Sequence, residues 1–75
     1  MQPFLFTARP EDLHDKIHSH LGEEFIFVLE GVLEFQVGAG KYVLHPGDSI
    51  FFNSVVEHRI LNVLSAHVKY LDIFN

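Results

Sequence analysis

The stretch from His18 to Gly31, reading His-Ser-His-Leu-Gly-Glu-Glu-Phe-Ile-Phe-Val-Leu-Glu-Gly, constrains this chain more than any other, because it sets chelating side chains between two runs of β-like alternation. In a strand, alternate residues share a face and each step advances about 3.3 Å, so His18 and His20 are expected to point the same way with Ser19 turned away. Their imidazoles would then lie close enough to hold one ion. Gly22 lets the chain turn, Glu24 opens the next strand, and an antiparallel return brings its carboxylate beside the two rings.

The rest of the chain keeps the period of two. Phe4 to Ala8 suits a short edge strand ended by Arg9-Pro10, since proline cannot donate to a ladder. Glu11 to Asp15 is polar connection and Asp15 to His20 reads as the first metal-bearing strand. Glu24 to Glu30 is the second, with Glu24, Ile26 and Val28 on one face and Phe25, Phe27 and Leu29 on the other. Glu30-Gly31 reverses tightly into Val32 to Val37, Gly38-Ala39-Gly40 turns into Lys41 to Leu44, and His45-Pro46-Gly47-Asp48 turns into Ser49 to Phe52. Asp48 is the capping residue of its turn. Asn53 to Glu57 is a loop, and His58 to Asn62 and Ala66 to Phe74 complete seven or eight short strands. No useful helical period, repeat or low-complexity tract interrupts them. The pattern predicts one all-β domain over residues 1–75, a sandwich or barrel. Its inward residues are Ile26, Val28, Leu33, Phe35, Ile50 and Phe52, with the alternative that a one-residue slip turns Phe51 inward instead.

Composition limits what such a domain does. A chain of 75 residues buries a smaller fraction of its surface than a typical domain, and without cysteine it has no disulfide to restrain it. A bound metal or a second subunit is the usual remedy. Phe25, Phe27 and Leu29, with a hydrophobic fraction of 48%, point to a homodimer that covers the second apolar face. Five Lys and Arg against ten Asp and Glu leave a formal charge of −5, which opposes binding to nucleic-acid phosphates. No apolar run has the length of a membrane span and the first residues do not read as a signal peptide, so a cytoplasmic location is expected.

His18, His20, Glu24 and Gly31 match, position for position, the first motif of the cupin family, and the chain resembles that family over residues 16 to 74. Asp12 stands where the family has its leading glycine. Gly40, Pro46, Gly47, His58 and Asn62 resemble the second motif, with a longer loop between the turn and His58. The resemblance implies a small cupin-type jelly-roll β-barrel, the double-stranded β-helix. It also implies His58 as the fourth ligand of one divalent metal, beside His18, His20 and Glu24. Three imidazoles and a carboxylate suit Fe, Mn, Ni, Cu or Zn. An octahedral ion would keep two positions for water or a small molecule, whereas tetrahedral Zn would be structural.

His14, His45 and His67 fall outside both motifs and read as surface residues. Asn62 would orient His58 or cap a turn, and Tyr42 and Tyr70 read as packing residues. No Ser-His-Asp arrangement, phosphate-binding glycine loop or cysteine nucleophile can be assembled. The run from Gly22 to Gly31, with Pro46-Gly47-Asp48-Ser49 and Glu57-His58-Arg59, is most similar to the C-terminal cupin sensor domain of helix-turn-helix regulators of the xenobiotic-response-element type. That similarity implies a small-molecule-binding or sensor domain, either stand-alone or the sensor part of a regulator. The alternative is a small metal-dependent cupin enzyme of dioxygenase or isomerase type. A third possibility is a purely structural metal protein. Few acid or base groups beyond the ligands and little length for a lid favour binding without turnover.

Overall fold

Among the described residues seven strands form, each where alternation places one: β1 (Gln2–Ala8), β2 (Glu23–Glu30), β3 (Leu33–Val37), β4 (Gly40–Leu44), β5 (Ser49–Asn53), β6 (His58–Val63) and β7 (Val68–Phe74). The computed structural model describes residues 2–14 and 16–75. All pairings are antiparallel, in a four-stranded sheet of order β1-β7-β2-β5 and a three-stranded sheet of order β4-β3-β6. This is the expected small jelly roll. Among the described residues no helix is long and apolar enough to cross a membrane.

The core lies between the sheets. Ile26, Val28, Phe52, Val68 and Tyr70 from the larger sheet meet Leu33, Phe35, Leu44 and Val63 from the smaller. Alternation along β2 is kept, with Glu24, Ile26 and Val28 buried while Phe25 and Phe27 are half-buried and Leu29 is exposed. Along β5, Phe52 is buried and Ile50 packs against the core, while Phe51 is exposed, so the register has not slipped. The core is small, nine buried side chains among the described residues, so the turns matter.

Two turns are closely specified. Gly31 has φ +79°, a left-handed conformation, and its Cα faces the His67 carbonyl of the β6–β7 loop with no room for a side chain. Asp48 caps its turn as expected, its Oδ2 accepting the His45 N–H at 2.8 Å.

The expected strand from Asp15 to His20 does not form. Asp15 lies outside the described residues, and the only strand-like pairing from 16 to 20 is an isolated bridge between His18 and His58. Its two N–H···O bonds measure 2.9 and 3.0 Å, and the His20 N–H donates to the Ser54 carbonyl at 2.9 Å. The segment thus runs beside β6 and the loop before it, not beside β2. Gly22, at φ +112°, then carries the chain across to the larger sheet, so Glu24 arrives from the opposite layer. The polar connection also contains one 3₁₀ turn, Pro10–Asp12, which the alternation did not reveal.

Candidate metal centre

Glu24 is the hub of the site. It is the first inward residue of β2, only 5% exposed, and its Oε1 lies 3.2 Å from His20 Nε2 and 3.4 Å from His58 Nε2. The Ser54 hydroxyl, fully buried, donates to the same oxygen at 3.4 Å. His58 opens β6 and is buried between aromatic rings, its centroid 4.9 Å from that of Phe52 and 6.3 Å from that of Phe35. Its Nδ1 meets the Val56 carbonyl at 2.8 Å. A carbonyl only accepts, so Nδ1 is the donor and Nε2 is left as the free donor atom for a metal. His20 repeats the arrangement, with Nδ1 3.3 Å from the Leu21 carbonyl and Nε2 towards Glu24.

The ligand atoms of His20, Glu24 and His58 lie within 4.8 Å of one another. Donors sharing an ion at about 2.1 Å stand about 3.0 Å apart at right angles and about 3.4 Å apart at tetrahedral angles. The two His–Glu separations of 3.2 and 3.4 Å therefore suit donors that share one ion. His18 sits next to this trio without joining it. Its ring centroid is 6.0 Å from that of His58, it is exposed, and it lines the same cavity. Ser19 faces away, its hydroxyl donating to the Val55 carbonyl at 2.8 Å.

That cavity has a volume of about 530 Å³. Ile26 and Phe35 form part of its wall, while Val28, Leu33 and Phe52 fill the core. Lys16 and Arg59 supply cationic side chains to the lining.

Sequence reasoning missed Ser54 and Asp72 and misassigned Asn62. Ser54 was read as loop, yet it hydrogen-bonds both Glu24 and the backbone of His20. Asp72 lies in β7, where the aromatic alternation drew attention away from it; a lone acid between Tyr70 and Phe74 on one strand face was the available signal. Burial, then a hydrogen bond and the nearby charge of Glu24, push the Asp72 carboxyl up to about 8. Tyr70, read as packing, is buried but also lines the cavity, and burial with the charges of Asp72 and Glu24 raises it to about 12. Asn62 neither orients His58 nor caps a turn: its Nδ2 donates to Glu34 Oε1 at 2.7 Å, across β6 to β3.

His14, His45 and His67 are exposed, as expected, though His14 reaches the cavity rim. His67 Nε2 is 3.1 Å from Glu30 Oε2, and this contact, with Lys69 nearby, holds the Glu30 carboxyl below the usual range.

The raised Asp72 carboxyl should make the metal-free protein sensitive to pH. In the folded state it keeps its proton up to about pH 8, whereas the unfolded chain loses it near the ordinary value of 3.8. The folded state then holds the extra proton, so this contribution is complete below the unfolded value and disappears as pH rises through the folded one. Melting temperature of metal-free protein should fall between pH 5 and 8 more steeply than in Asp72→Asn. Parallel profiles for the two proteins would refute this account of Asp72.

Two imidazoles and a carboxylate gathered in the cavity of a two-sheet jelly roll define a small barrel domain with a possible metal site. The chain belongs to the cupin family, whose cupin-domain profile matches residues 4–74. A cupin protein from Bacteroides fragilis shares the fold with a TM-score of 0.82 at 19% identity, over 96% of this chain and 62% of that one. An HTH_3-family transcriptional regulator from Vibrio cholerae gives 0.80 at 23%, over 96% of this chain and 40% of the regulator. The Fe(II) form of HppE gives 0.81 at 26%, over 97% of this chain and 41% of the enzyme chain. This chain thus spans about three fifths of the first and two fifths of the other two. No curated protein matches the sequence.

Proposed function

We propose that this cupin domain binds one divalent transition metal through His18, His20, Glu24 and His58, and that the metal anchors a small molecule held in the barrel. The observation that carries the reading is the convergence of His20 Nε2, His58 Nε2 and Glu24 Oε1 within one cavity. His18 completes the set by turning its ring from the neighbouring position on the bridge to His58. A metal bound there supplies a Lewis-acidic anchor for one oxygen or nitrogen of the ligand. Phe35, Ile26 and Phe74 supply an apolar wall and the volume suits a small molecule. The similarity to an HTH_3-family regulator supports a sensing role.

The test has two stages. Elemental analysis and titration with Fe, Mn, Ni, Cu and Zn should give one ion per chain. Thermal shift with small carboxylates, amino acids and phenols should then find a ligand that stabilises the loaded protein by about 2.7 kcal/mol at a hundredfold excess over its dissociation constant. The ligand should be recovered unchanged, and a chelator should abolish the shift. An enzymatic reading is favoured by Asp72 and Tyr70, ionisable groups inside the cavity, and by the likeness to Fe(II) HppE. Metal-dependent, catalytic consumption of a hit would replace binding by that second reading.

The domain is proposed to act as a homodimer. On the outer face of the larger sheet, Leu5, Leu71 and Phe27 form one apolar row and Pro3, Ile73, Phe25 and Phe51 form another. Leu5 and Phe51 are 57% and 58% exposed, so this face reaches solvent at both sheet edges. A second copy would cover it. Light scattering at micromolar concentration should give twice the chain mass for the native protein and the chain mass for Phe51→Asp; a monomeric native protein would exclude the dimer.

A further inference from the structure

Asp72 is placed where structure alone gives no reason for an acid. Its cross-strand partners are Phe4 on β1 and Ile26 on β2, and the same face of β7 continues to Tyr70 and Phe74. An aliphatic residue at this position would bury without the desolvation a carboxyl suffers. Its side chain meets Glu24, the hub of the metal trio, and it lines the cavity. Oδ1 is shut off from solvent, and no hydrogen-bond partner reaches it among the described residues. Contact with Glu24 can occupy one side of the carboxyl. The remaining lone pairs accept hydrogen bonds whether or not the group carries a proton. Buried acceptors in folded proteins are nearly always satisfied, and the cavity that the Asp72 side chain lines is where a partner for this carboxyl can come from.

We infer that Asp72 is a specificity-determining residue: the small molecule bound at the metal carries a hydroxyl or amine beside its metal-binding atom, and the Asp72 carboxyl accepts that group's hydrogen. The inference rests on the proposed metal-dependent ligand binding. It narrows the ligand class to hydroxy- or amino-substituted metal-binding molecules with an apolar body. The aromatic walls from Phe6, Phe35 and Phe74 take that body.

A matched set of probes tests it: 3-phenylpropanoate, 3-phenyllactate and phenylalanine, which differ only in having hydrogen, hydroxyl or amine next to the carboxylate. Each is titrated into metal-loaded protein after metal stoichiometry has been measured. Native protein should bind at least one of the two donor-bearing probes tenfold or more tightly than 3-phenylpropanoate. An α-hydroxyl or α-amine also chelates metal, so the variants decide the cause. Asp72→Leu should bind metal normally and lose the preference, and Asp72→Asn, whose side-chain carbonyl still accepts, should keep it. Equal binding of the three probes by native protein, or a preference that survives Asp72→Leu, overturns the inference while leaving the metal site intact. Loss of metal from both variants would also overturn it, by making Asp72 a ligand of the ion. No binding of any probe to the loaded protein removes the ligand-binding reading and this inference with it, and failure to load metal removes the metal reading first.

Discussion

Replacing His58 by alanine should lower metal affinity by more than about 100-fold, the upper end of what loss of a supporting outer-shell group alone causes. His58 is a donor whose direction is fixed from three sides: Val56 holds Nδ1, Phe52 and Phe35 pack the ring, and Nε2 faces Glu24. His58 is 4% exposed, so its removal also leaves a hole in the packing. His20→Ala should act similarly, with less damage to packing because that residue is exposed. A ring must lose its proton to coordinate, so occupancy should also fall as the solution is acidified. His14→Ala, His45→Ala and His67→Ala should leave metal content unchanged. His18→Ala separates the three-ligand from the four-ligand site, since affinity falls only if the His18 ring turns in. Metal content would be read by elemental analysis after dialysis against a weak chelator. Full content in a His18→Ala, His58→Ala double variant would end the assignment.

The second large effect concerns stability. Gly31→Ala should cost about 3 kcal/mol or more, combining a left-handed backbone conformation unfavourable for alanine with a collision against the next loop. A Cβ at Gly31 would meet the His67 carbonyl oxygen, come within 2.7 Å of Ser65 Oγ and within 3.0 Å of Val68 Cα. These neighbours cannot yield easily. Ser65 Oγ accepts the Val32 N–H at 2.9 Å and donates to the His67 carbonyl at 2.6 Å, and the Leu64 N–H bonds the Val32 carbonyl at 2.9 Å. Gly47 provides the control, with a similar φ of +90° but no atom within 4 Å of an added Cβ. Gly47→Ala should cost only the conformational part, about 1 kcal/mol. In a domain this small each kcal/mol moves the midpoint by about 4–8 °C. Thermal melts should therefore place Gly31→Ala well below Gly47→Ala. Equal midpoints would show that the loop can shift and that the contact with His67 contributes nothing.

Much of this molecule is legible one strand at a time. Residues Glu24, Ile26 and Val28 alternate with Phe25, Phe27 and Leu29, and burial follows that alternation because neighbouring side chains in a strand must point to opposite faces. The turn residues Gly31 and Asp48 are equally local, since each answers a backbone demand within a few positions. The spacing of His18, His20 and Glu24 raised the candidate metal site, of which the structure gathers His20 and Glu24 with His58, and the cupin resemblance supplied His58 and the barrel.

Only the tertiary structure decided how the pieces meet. Residues 16–20 had the alternation of a strand, but among the described residues their backbone pairs across the fold only through the His18–His58 bridge and the carbonyl of Ser54, so they remained a bridged segment on the side of β6. Glu24 reached His20 and His58 from the other sheet, which depends on two independent registers and on the turn at Gly22. Asp72 came beside Glu24 because β7 is inserted between β1 and β2, although 47 residues of chain separate the two acids. Alternation records which side of a strand is apolar. It carries no information about which strand lies next to it, and that choice is made by the joint packing of both sheets and the closure of every loop between them.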